Sequence, residues 1–359
     1  MMRCLIIAEI GVNHNGSLDI AKKSIKAAFD AGADIVKFQS FKAVNLATEQ
    51  ASKAVYQMEN TLESESQLAM LRELELTQDE HLILSKYCDE LGIEFLSSAF
   101  DSESLEFLIK KLGIKRLKIA SGELTNLPFI LEHAKSGLDV IVSTGMATIA
   151  EIEQALEVLA FGYISSDEVL PSLDAFAAAY TCSAGQKALR EKVTILHCTT
   201  EYPAPIEHIN LNAMDTIAQS FKLSVGYSDH SLGTTIPIAA VTKGAQVLEK
   251  HFTLDKTMDG PDHKASLEPN EFKAMSRAIR DVELAMGNGI KCPRFPEIKN
   301  KPVARKSLVA ATDIVKGGMF DGNNIAIKRP GTGIEPSNYW SYIGQKAKKS
   351  YKAGDLIDE

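Results

Sequence analysis

The sequence predicts an α/β protein whose larger part is a (β/α)₈ barrel. Between Leu5 and about Gly287, short apolar segments alternate with longer amphipathic segments, and this alternation produces eight β–α units. The short segments are apolar almost throughout, which is typical of parallel strands that are buried on both faces. An open doubly wound sheet normally carries a glycine-rich phosphate-binding turn after its first strand, and this sequence has none there. Together these observations favour a closed barrel.

The elements follow one another in a regular order. The first strand is separated from the first amphipathic helix by the polar turn NHNGS. The predicted strands are residues 5–10, 34–39, 94–98, 116–120, 140–144, 193–198, 222–226 and 246–251. The predicted helices lie near residues 18–31, within 66–91, and near 102–112, 128–136, 149–160, 211–220, 234–243 and 269–286. The first seven helices thus each connect one strand to the next and the eighth follows the last strand, as in a barrel of this type.

Three regions depart from this pattern. Within a barrel domain of residues 1–287, residues 161–192 are too long for a connection, and we interpret them as an inserted hairpin of surface helices or a mobile excursion away from the chemistry. Residues 288–302 contain three prolines and no periodicity, so they are predicted to be a linker. Residues 303–359 contain short β-like segments at 307–311 and 324–327 and are predicted to form a small β-rich domain.

Composition excludes several classes of protein. The chain has 359 residues, of which 45% are hydrophobic, so it can bury a large core. The formal net charge of -8 and the absence of a dominant basic cluster argue against a nucleic-acid surface. The five cysteines are scattered without CxxC spacing and are interpreted as reduced thiols. No segment approaches a membrane span or a signal peptide in length, and we therefore expect a cytoplasmic protein.

Polar residues able to do chemistry stand at or just beyond the ends of the predicted strands. In a barrel such positions converge at the C-terminal face, where active sites of this fold are built. The candidates are Glu9, Gln39, Ser98, Ser121, Glu123, Thr200, Tyr202 and Ser228.

Two lysines lie directly within apolar segments, in Val36-Lys37-Phe38 and Leu117-Lys118-Ile119. Burying an ammonium group is costly unless it meets an anion. We therefore predict that Lys37 and Lys118 face a negatively charged ligand that carries phosphate and carboxylate groups. Structural ion pairs are the alternative explanation. A Schiff-base role for Lys118, as in lysine-dependent aldolases, is the main rival mechanism.

Two successive strands lead into a histidine, His230 in YSDH and His251 in LEKH. Two imidazoles at neighbouring strand ends indicate a divalent-metal site with open coordination positions. Nitrogen ligands favour Mn, Fe, Co or Zn over Mg, which prefers oxygen. Asp229 and Asp262 are candidates for supporting the metal ligands or for holding substrate.

Several segments are similar to those of a known family. These are AEIGVNHNGS, VKFQS, KIASGE, STGM, HCTTEYPAP, GYSDHS, EKHFTLD and GPDHKASLEP. Together they resemble the sialic acid synthase family, whose members condense phosphoenolpyruvate with an N-acetylated mannose-type sugar to give a nonulosonic acid and phosphate. The resemblance extends to the tail, where RKSLVAATDIVKGGMF and IKRPGTGI are similar to the antifreeze-like (SAF) domain of that family. Residues 161–192 lie outside the pattern.

Within that family, the chain resembles most the branch that makes legionaminic acid. The segments VKFQSFKA, KAVYQ, HCTTEYPAP and DHKASLEP carry this likeness. Synthases of N-acetylneuraminate typically have histidine where Phe38 stands and asparagine where Thr200 stands, and an apolar Phe38 would suit a 6-deoxy sugar with a second acetamido group. The resemblance thus implies 2,4-diacetamido-2,4,6-trideoxymannose as the acceptor, with N-acetylneuraminate and pseudaminic acid synthases as alternatives.

The resemblance also implies roles for individual residues. Contacts to phosphoenolpyruvate are implied for Lys37, Ser98, Lys118, Ser121, Thr200 and Ser228. A place around the sugar is implied for Glu9, Gln39, Glu123, Tyr202 and Asp262. His230 and His251 correspond to the ligands of a divalent metal, with Mn favoured and Mg or Co as alternatives. Arg329 corresponds to an arginine that the SAF domain extends into the partner's barrel, which implies a domain-swapped homodimer. The catalytic set is Glu9, Lys118, Glu123 and His251, with Glu9 or Glu123 relaying protons.

Overall fold

The computed structural model describes residues 3–61 and 66–358. Eight parallel strands close into a barrel in sequence order, each paired with its neighbours and the eighth with the first. They are β1 (Leu5–Gly11), β2 (Ile35–Ser40), β3 (Glu94–Ala99), β4 (Arg116–Ile119), β5 (Asp139–Ser143), β6 (Val193–Cys198), β7 (Ser224–Asp229) and β8 (Val247–His251). The predicted (β/α)₈ barrel is confirmed.

Helices surround the barrel and occupy the connections between its strands. They are α1 (Leu18–Asp30), α2 (Ala43–Leu46), α3 (Val55–Asn60), α4 (Gln67–Leu74), α5 (Gln78–Leu91), α6 (Ser102–Phe107), α7 (Leu127–Lys135), α8 (Ile149–Ile164), α9 (Leu173–Thr181), α10 (Ser183–Lys192), α11 (Asn212–Phe221), α12 (Thr235–Thr242) and α13 (Pro269–Ala285). The connection from β2 to α5 is long and contains α2, α3 and α4. Residues of α3 and α4 line the cavity described below, which places these two helices at the C-terminal ends of the strands.

The interior of the barrel is layered. Side chains alternate in direction along a strand, so every second residue points inward. At the N-terminal end the inward residues form an apolar cluster of Leu5, Ile7, Ile35, Leu96, Ile141, Leu196 and Val247. Gly226 lies where a Cβ atom would come within 2.3 Å of the Val247 carbonyl oxygen, so a side chain there has no room. This apolar cluster fills the barrel at the N-terminal ends of the strands, and the polar inward residues lie toward the C-terminal ends.

The outward residues of the strands pack against the helices and form the main core. Phe38 belongs to this outer layer, where its fully buried ring stacks on Phe95 at 5.4 Å between centroids. The expectation that Phe38 contacts the sugar is therefore wrong. Its neighbours Lys37 and Gln39 point inward, and alternation along β2 forces Phe38 to point outward.

Strand β7 begins two residues later than predicted. Lys222 is the C-cap of α11 in a left-handed conformation (φ 56), so the chain is still turning out of the helix at that residue. Val225 lies in the strand as predicted, whereas Leu223 precedes it, and the polar continuation Ser228-Asp229 is also strand.

Residues 161–192 contain the end of α8 together with α9 and α10, which pack against α8. Because α10 runs directly into the start of β6, this segment ends at the N-terminal side of the barrel. The C-terminal active-site face lies at the other end of the strands.

The chain divides into two compact units, Met1–Gly287 and Asn288–Glu359. The second unit contains α14 (Phe295–Ala304), so much of the segment 288–302 predicted to be a linker is helical. An antiparallel pair follows, β9 (Ser307–Ala310) with β10 (Ile325–Lys328), and then the short helix α15 (Tyr339–Tyr342). Leu308, Ile314, Phe320, Ile325 and Tyr351 form its own apolar cluster. Among the helices built from the described residues, none has the length and apolar character needed to cross a bilayer.

Candidate active site

A cavity of about 230 Å³ opens at the C-terminal ends of the strands, directly above the apolar cluster. Its floor comes from the inward residues of the strands and its rim from the loops and from α3 and α4. Of the residues predicted from the sequence, it is lined by Glu9, Lys37, Gln39, Ser98, Lys118, Ser121, Thr200, Tyr202, Ser228, His230, His251 and Asp262.

Four buried charges form the floor of this cavity. Lys37 Nζ lies 2.7 Å from Glu9 Oε2 and 3.5 Å from Glu249 Oε2, and Lys118 Nζ lies 3.7 Å from Glu249 Oε1. Lys118 also donates a hydrogen bond to Ser143 Oγ at 2.6 Å. The two lysines and two glutamates are each nearly inaccessible to solvent, and their charges cancel when all four are ionised.

The surroundings of Glu9 and Glu249 shift the pKa values of these two carboxyl groups in opposite directions. Burial raises the pKa of Glu9, and the charge of Glu249 adds to this shift although Lys37 opposes it. Burial would also raise the pKa of Glu249, but Lys118, Lys37 and the Ser228 hydroxyl together lower it. Two carboxyl groups whose pKa values are driven apart are suited to different tasks. Glu9 is suited to carrying a proton, and Glu249 to remaining an anion.

Burial and the nearby carboxylates also act in opposite directions on the pKa values of the two lysines. Burial disfavours the charged form of Lys37, but Glu249 and Glu9 outweigh this and raise its pKa. Burial dominates at Lys118 and lowers its pKa, with Glu249 opposing. The cavity therefore contains one firmly charged ammonium group and one whose charge depends on its neighbours.

Hydroxyl groups surround the charged floor. Ser121 Oγ accepts a hydrogen bond from the Gly145 amide at 3.0 Å and lies 3.2 Å from Cys198 Sγ. A Cβ atom at Gly145 would lie 2.1 Å from Thr200 Oγ1, so only glycine brings the backbone this close. Within the described part of the chain, Thr200 Oγ1 is buried without a hydrogen-bond partner. A buried hydroxyl group that lacks a partner indicates a ligand that supplies one.

The two predicted imidazoles lie side by side, with ring centroids 5.4 Å apart. His230 Nδ1 lies 2.6 Å from the Thr199 carbonyl oxygen, which can only accept, so Nδ1 carries the proton and Nε2 carries a lone pair. Burial lowers the pKa of His230 to about 4 and that of His251 well below its ordinary value. The Tyr202 ring packs on His230 with centroids 4.1 Å apart. Both imidazoles are therefore uncharged at neutral pH and can offer a nitrogen lone pair to a cation.

These imidazoles fit a metal ion. His251 Nδ1 is buried and, among the residues described, has no hydrogen-bond partner, while Asp262 Oδ2 lies 3.9 Å away. The Ser228 hydroxyl lies 3.3 Å from His230 Nε2 but 2.8 Å from Glu249 Oε1, so its proton goes to the carboxylate and leaves the Nε2 lone pair free. In residues 3–61 and 66–358 no group of three or more His, Cys, Asp or Glu side chains could hold a metal. The metal ligands that the protein offers here are therefore one imidazole nitrogen from His230 and one from His251.

A fully buried ion pair joins the strands that carry these histidines. Lys250 Nζ lies 2.5 Å from Asp229 Oδ2, and both side chains point out of the barrel. Asp229 Oδ1 also accepts from the Ser231 hydroxyl at 2.8 Å. Asp229 therefore binds Lys250 and Ser231. Asp262 lines the cavity, and burial raises its pKa to about 6.

Two predicted site residues lie elsewhere. Glu123 is half-buried on the turn after β4, where it accepts a hydrogen bond from Asn126 Nδ2 at 2.8 Å, and it is not among the described residues that line the cavity. Arg329 belongs to the second unit, where its exposed side chain donates from Nε to the Ala304 carbonyl oxygen at 3.0 Å.

Sequence reasoning missed Glu249 and the residues that α3 and α4 bring to the cavity. Glu249 is two residues before His251 on the same strand, so alternation places both side chains on the inward face, and this signal was readable. Tyr56, Gln57, Met70, Leu71 and Leu74 come from the long β2–α5 connection. They lie on helices α3 and α4 and not at the ends of strands, so the pattern used to find the other site residues does not include them.

Comparison with known proteins gives consistent results along the whole chain. Residues 24–291 match the model of the NeuB family, and residues 305–359 match that of the SAF domain. An N,N'-diacetyllegionaminic acid synthase of Campylobacter jejuni is 49% identical over 359 residues, covering 100% of both chains. An enzyme with the same name from Legionella pneumophila is 43% identical, covering 99% of this chain and 94% of the relative.

The likeness extends to a solved structure. The crystal structure of N-acetylneuraminic acid (sialic acid) synthetase from Leptospira borgpetersenii, in complex with citrate, superposes with a TM-score of 0.66 at 30% identity. The match covers 83% of this chain and 90% of that one.

Proposed function

Because the chain belongs to the NeuB family, we propose that it condenses phosphoenolpyruvate with an N-acetylated mannose-type sugar to give a nonulosonic acid and inorganic phosphate. The observation that carries this proposal is the pair of buried lysines beside neutral imidazoles in one cavity. In this proposal the ammonium groups bind the phosphate and carboxylate of phosphoenolpyruvate, and the acceptor carbonyl approaches the imidazoles.

The reaction forms one carbon–carbon bond and one carbon–oxygen bond to water, and it breaks the carbon–oxygen bond to phosphate. The methylene carbon of phosphoenolpyruvate attacks the aldehyde carbon of the open-chain sugar, and the aldehyde oxygen takes up a proton. Water adds to the cationic carbon that bears the phosphate and loses a proton. The resulting tetrahedral intermediate releases phosphate and leaves a ketone. Lys37 and Lys118 stabilise the negative charge of the donor and of the departing phosphate.

Glu9 supplies the proton relay in this scheme. Its carboxyl group lines the cavity, lies 2.7 Å from Lys37 Nζ and has a raised pKa, so it can exchange a proton near neutral pH. Glu123, the alternative relay, is engaged by Asn126 and is less suited to the task.

A divalent cation, with Mn favoured, would be held by His230 and His251 and would supply Lewis-acid polarisation of a carbonyl group. Thr199 fixes the tautomer of His230 through its carbonyl oxygen, and the Tyr202 ring holds the orientation of that imidazole. Glu249 draws the Ser228 proton away from the donor nitrogen.

The apolar edge of the cavity supports 2,4-diacetamido-2,4,6-trideoxymannose as the acceptor, and N,N'-diacetyllegionaminic acid as the product. Met70, Leu71 and Leu74 of α4 line this edge, together with Val12 and Phe100. A methyl group gains from contact with such a surface, whereas a hydroxyl group there loses its hydrogen bonds to water. N-acetylmannosamine, which carries a hydroxyl at its last carbon, is the alternative, as is the acceptor of a pseudaminic acid synthase.

A phosphate-release assay tests this function. With phosphoenolpyruvate, Mn and the trideoxy sugar we expect phosphate and a nonulosonic acid in equal amounts. N-acetylmannosamine differs at two carbons, with a hydroxyl in place of the 4-acetamido group and an added hydroxyl on C6. It should react at least about tenfold less efficiently, since each mismatched group costs about 1–3 kcal/mol. Absence of phosphate release with either sugar would contradict the proposal. A borohydride-trapped adduct of pyruvate on Lys118 would instead establish the rival aldolase.

Substitution of the apolar edge checks the choice of sugar. In Leu71→Gln the amide can meet a hydroxyl group, so the preference for the trideoxy sugar, measured as the ratio of kcat/KM values, should fall about tenfold. Arg72→Gln is the matched control, because Arg72 is an exposed residue of the same helix. An unchanged ratio in Leu71→Gln would place the sugar elsewhere.

We also propose that the active unit is a homodimer in which Arg329 of one subunit serves the barrel of the other. The exposed guanidinium of Arg329 makes one hydrogen bond through Nε, to the Ala304 carbonyl oxygen. Its terminal nitrogens are suited to the carboxylate or hydroxyl groups of a ligand.

Coexpression of two inactive variants distinguishes action within a subunit from action between subunits. Arg329→Ala and Lys118→Met should each have low activity alone. In a heterodimer the intact barrel of the first variant would receive the intact arginine of the second, so activity should return to the mixed species. If the mixed species stays inactive while light scattering shows a dimer, Arg329 does not act across the interface.

A further inference from the structure

We infer that Glu249 is a fixed counter-anion that sets how tightly the cavity holds phosphate, a role that rests on the proposed function of this site. Its negative charge offsets that of the two lysines while the site is empty and weakens their hold on the phosphate that leaves. Glu249 is thereby assigned to the release of product as well as to the stability of the barrel.

The position of Glu249 is set by a hydroxyl group. Ser228 Oγ donates to Glu249 Oε1 at 2.8 Å, whereas the two ammonium groups lie farther away, at 3.5 Å for Lys37 and 3.7 Å for Lys118. Glu249 Oε2 is buried and accepts no hydrogen bond from the residues that the structure describes. The carboxylate is therefore close enough to act electrostatically without saturating the donors of either lysine.

Each lysine has a closer partner of its own. Lys37 Nζ lies 2.7 Å from Glu9 Oε2, and Lys118 Nζ lies 2.6 Å from Ser143 Oγ. Lys37 also has Ser98 Oγ at 3.5 Å, and Lys118 has the Ile119 carbonyl oxygen at 3.4 Å. These long contacts are weak, so an incoming anion can replace them at both lysines without displacing Glu249. The bound phosphate then shares a dry cavity with a carboxylate, and like charges repel strongly there.

The placement of Ser228 follows from the same contact. Its single O–H is used by Glu249, so it cannot donate to phosphoenolpyruvate while that bond persists. Ser228 is thus a positioning residue in this account, although the family resemblance implied a direct contact with the donor.

Calorimetric titration with inorganic phosphate tests the inference without needing turnover. Glu249→Gln keeps the size and the contact to Ser228 but removes the charge. A unit charge about 5 Å from a bound dianion is worth more than tenfold in affinity at an effective dielectric constant of about 20. We expect Glu249→Gln to bind phosphate at least about tenfold more tightly than the unsubstituted chain, and phosphate to inhibit it correspondingly more strongly.

Three further variants make the result decisive. Glu249→Asp retains the charge and should bind phosphate within about threefold of the unsubstituted chain. Glu249→Ala removes the charge without adding an amide and should shift affinity in the same direction as Gln, so a poorly folded Gln variant does not end the test. Glu168→Gln neutralises an exposed carboxylate on the inserted segment and should change nothing, because solvent and salt screen it.

Phosphate affinity that is equal or weaker in both neutral variants overturns the inference. A chain that fails to release phosphate with every sugar, yet binds it more tightly once Glu249 is neutral, would refute the proposed synthase and leave the counter-anion in place.

Discussion

Replacing Lys118 with methionine is expected to reduce phosphate release by about 10²–10³-fold, the effect of removing one preorganised charge that stabilises a transition state. The same substitution leaves Glu249 with Lys37 as its remaining ionic neighbour, at 3.5 Å. Breaking a buried ion pair by removing one partner costs about 3–5 kcal/mol. We therefore expect a lower apparent Tm of the barrel unit as well, which differential scanning calorimetry measures.

The double variant Lys118→Met/Glu249→Gln separates these two effects. It removes both partners, and a buried pair replaced by neutral groups of similar size loses little stability. Its Tm should return toward that of the unsubstituted chain, while its activity should stay as low as that of Lys118→Met. Recovery of activity in the double variant would show that Lys118 serves only to neutralise Glu249.

The barrel was predictable because its strands must be apolar on both faces, and segments such as residues 5–10 and 140–144 carry that signal without ambiguity. That Lys37 and Lys118 would lie beside anions was predictable for the complementary reason, since a buried ammonium group needs one. The anions in the structure are Glu9 and Glu249, the ion-pair alternative, and the phosphate-bearing ligand stays a prediction. The alternation that put Lys37 inside the barrel also puts Phe38 outside. Interpreting Phe38 as a sugar contact neglected this geometry.

Other features depend on distances that a sequence does not contain. Glu9, Lys37, Lys118 and Glu249 come from four different strands, and their mutual contacts follow from barrel closure and from the register of β1 with β2 and β8. The apolar edge built by α4 arises from the way the β2–α5 connection folds back over the strand ends. Its hydrophobic residues have the spacing of any amphipathic helix, so the pattern cannot distinguish a cavity wall from ordinary core.

Removing divalent cations is expected to abolish phosphate release, and His251→Ala should have the same effect. We expect a loss of about 10³-fold or more, because a Lewis acid would no longer polarise the reacting carbonyl. Folding should be little affected, because His251 Nδ1 is buried and accepts no hydrogen bond within residues 3–61 and 66–358. Dialysis against EDTA followed by addition of Mn, Co or Mg measures the activity that each ion restores. Titration followed by Mn electron paramagnetic resonance measures binding directly.

The matched control is His208→Ala, because His208 is an exposed histidine outside the cavity, on the loop that precedes α11. It should bind Mn and release phosphate as the unsubstituted chain does, whereas His251→Ala should lose the Mn signal and the activity together. Two neutral imidazoles with ring centroids 5.4 Å apart are too few to retain a metal against a chelator without further ligands, so dialysis should empty the site completely. Full activity after the metal content has fallen to background would refute the metal-dependent scheme, and would leave Lys37, Lys118 and Glu9 to carry out the condensation alone.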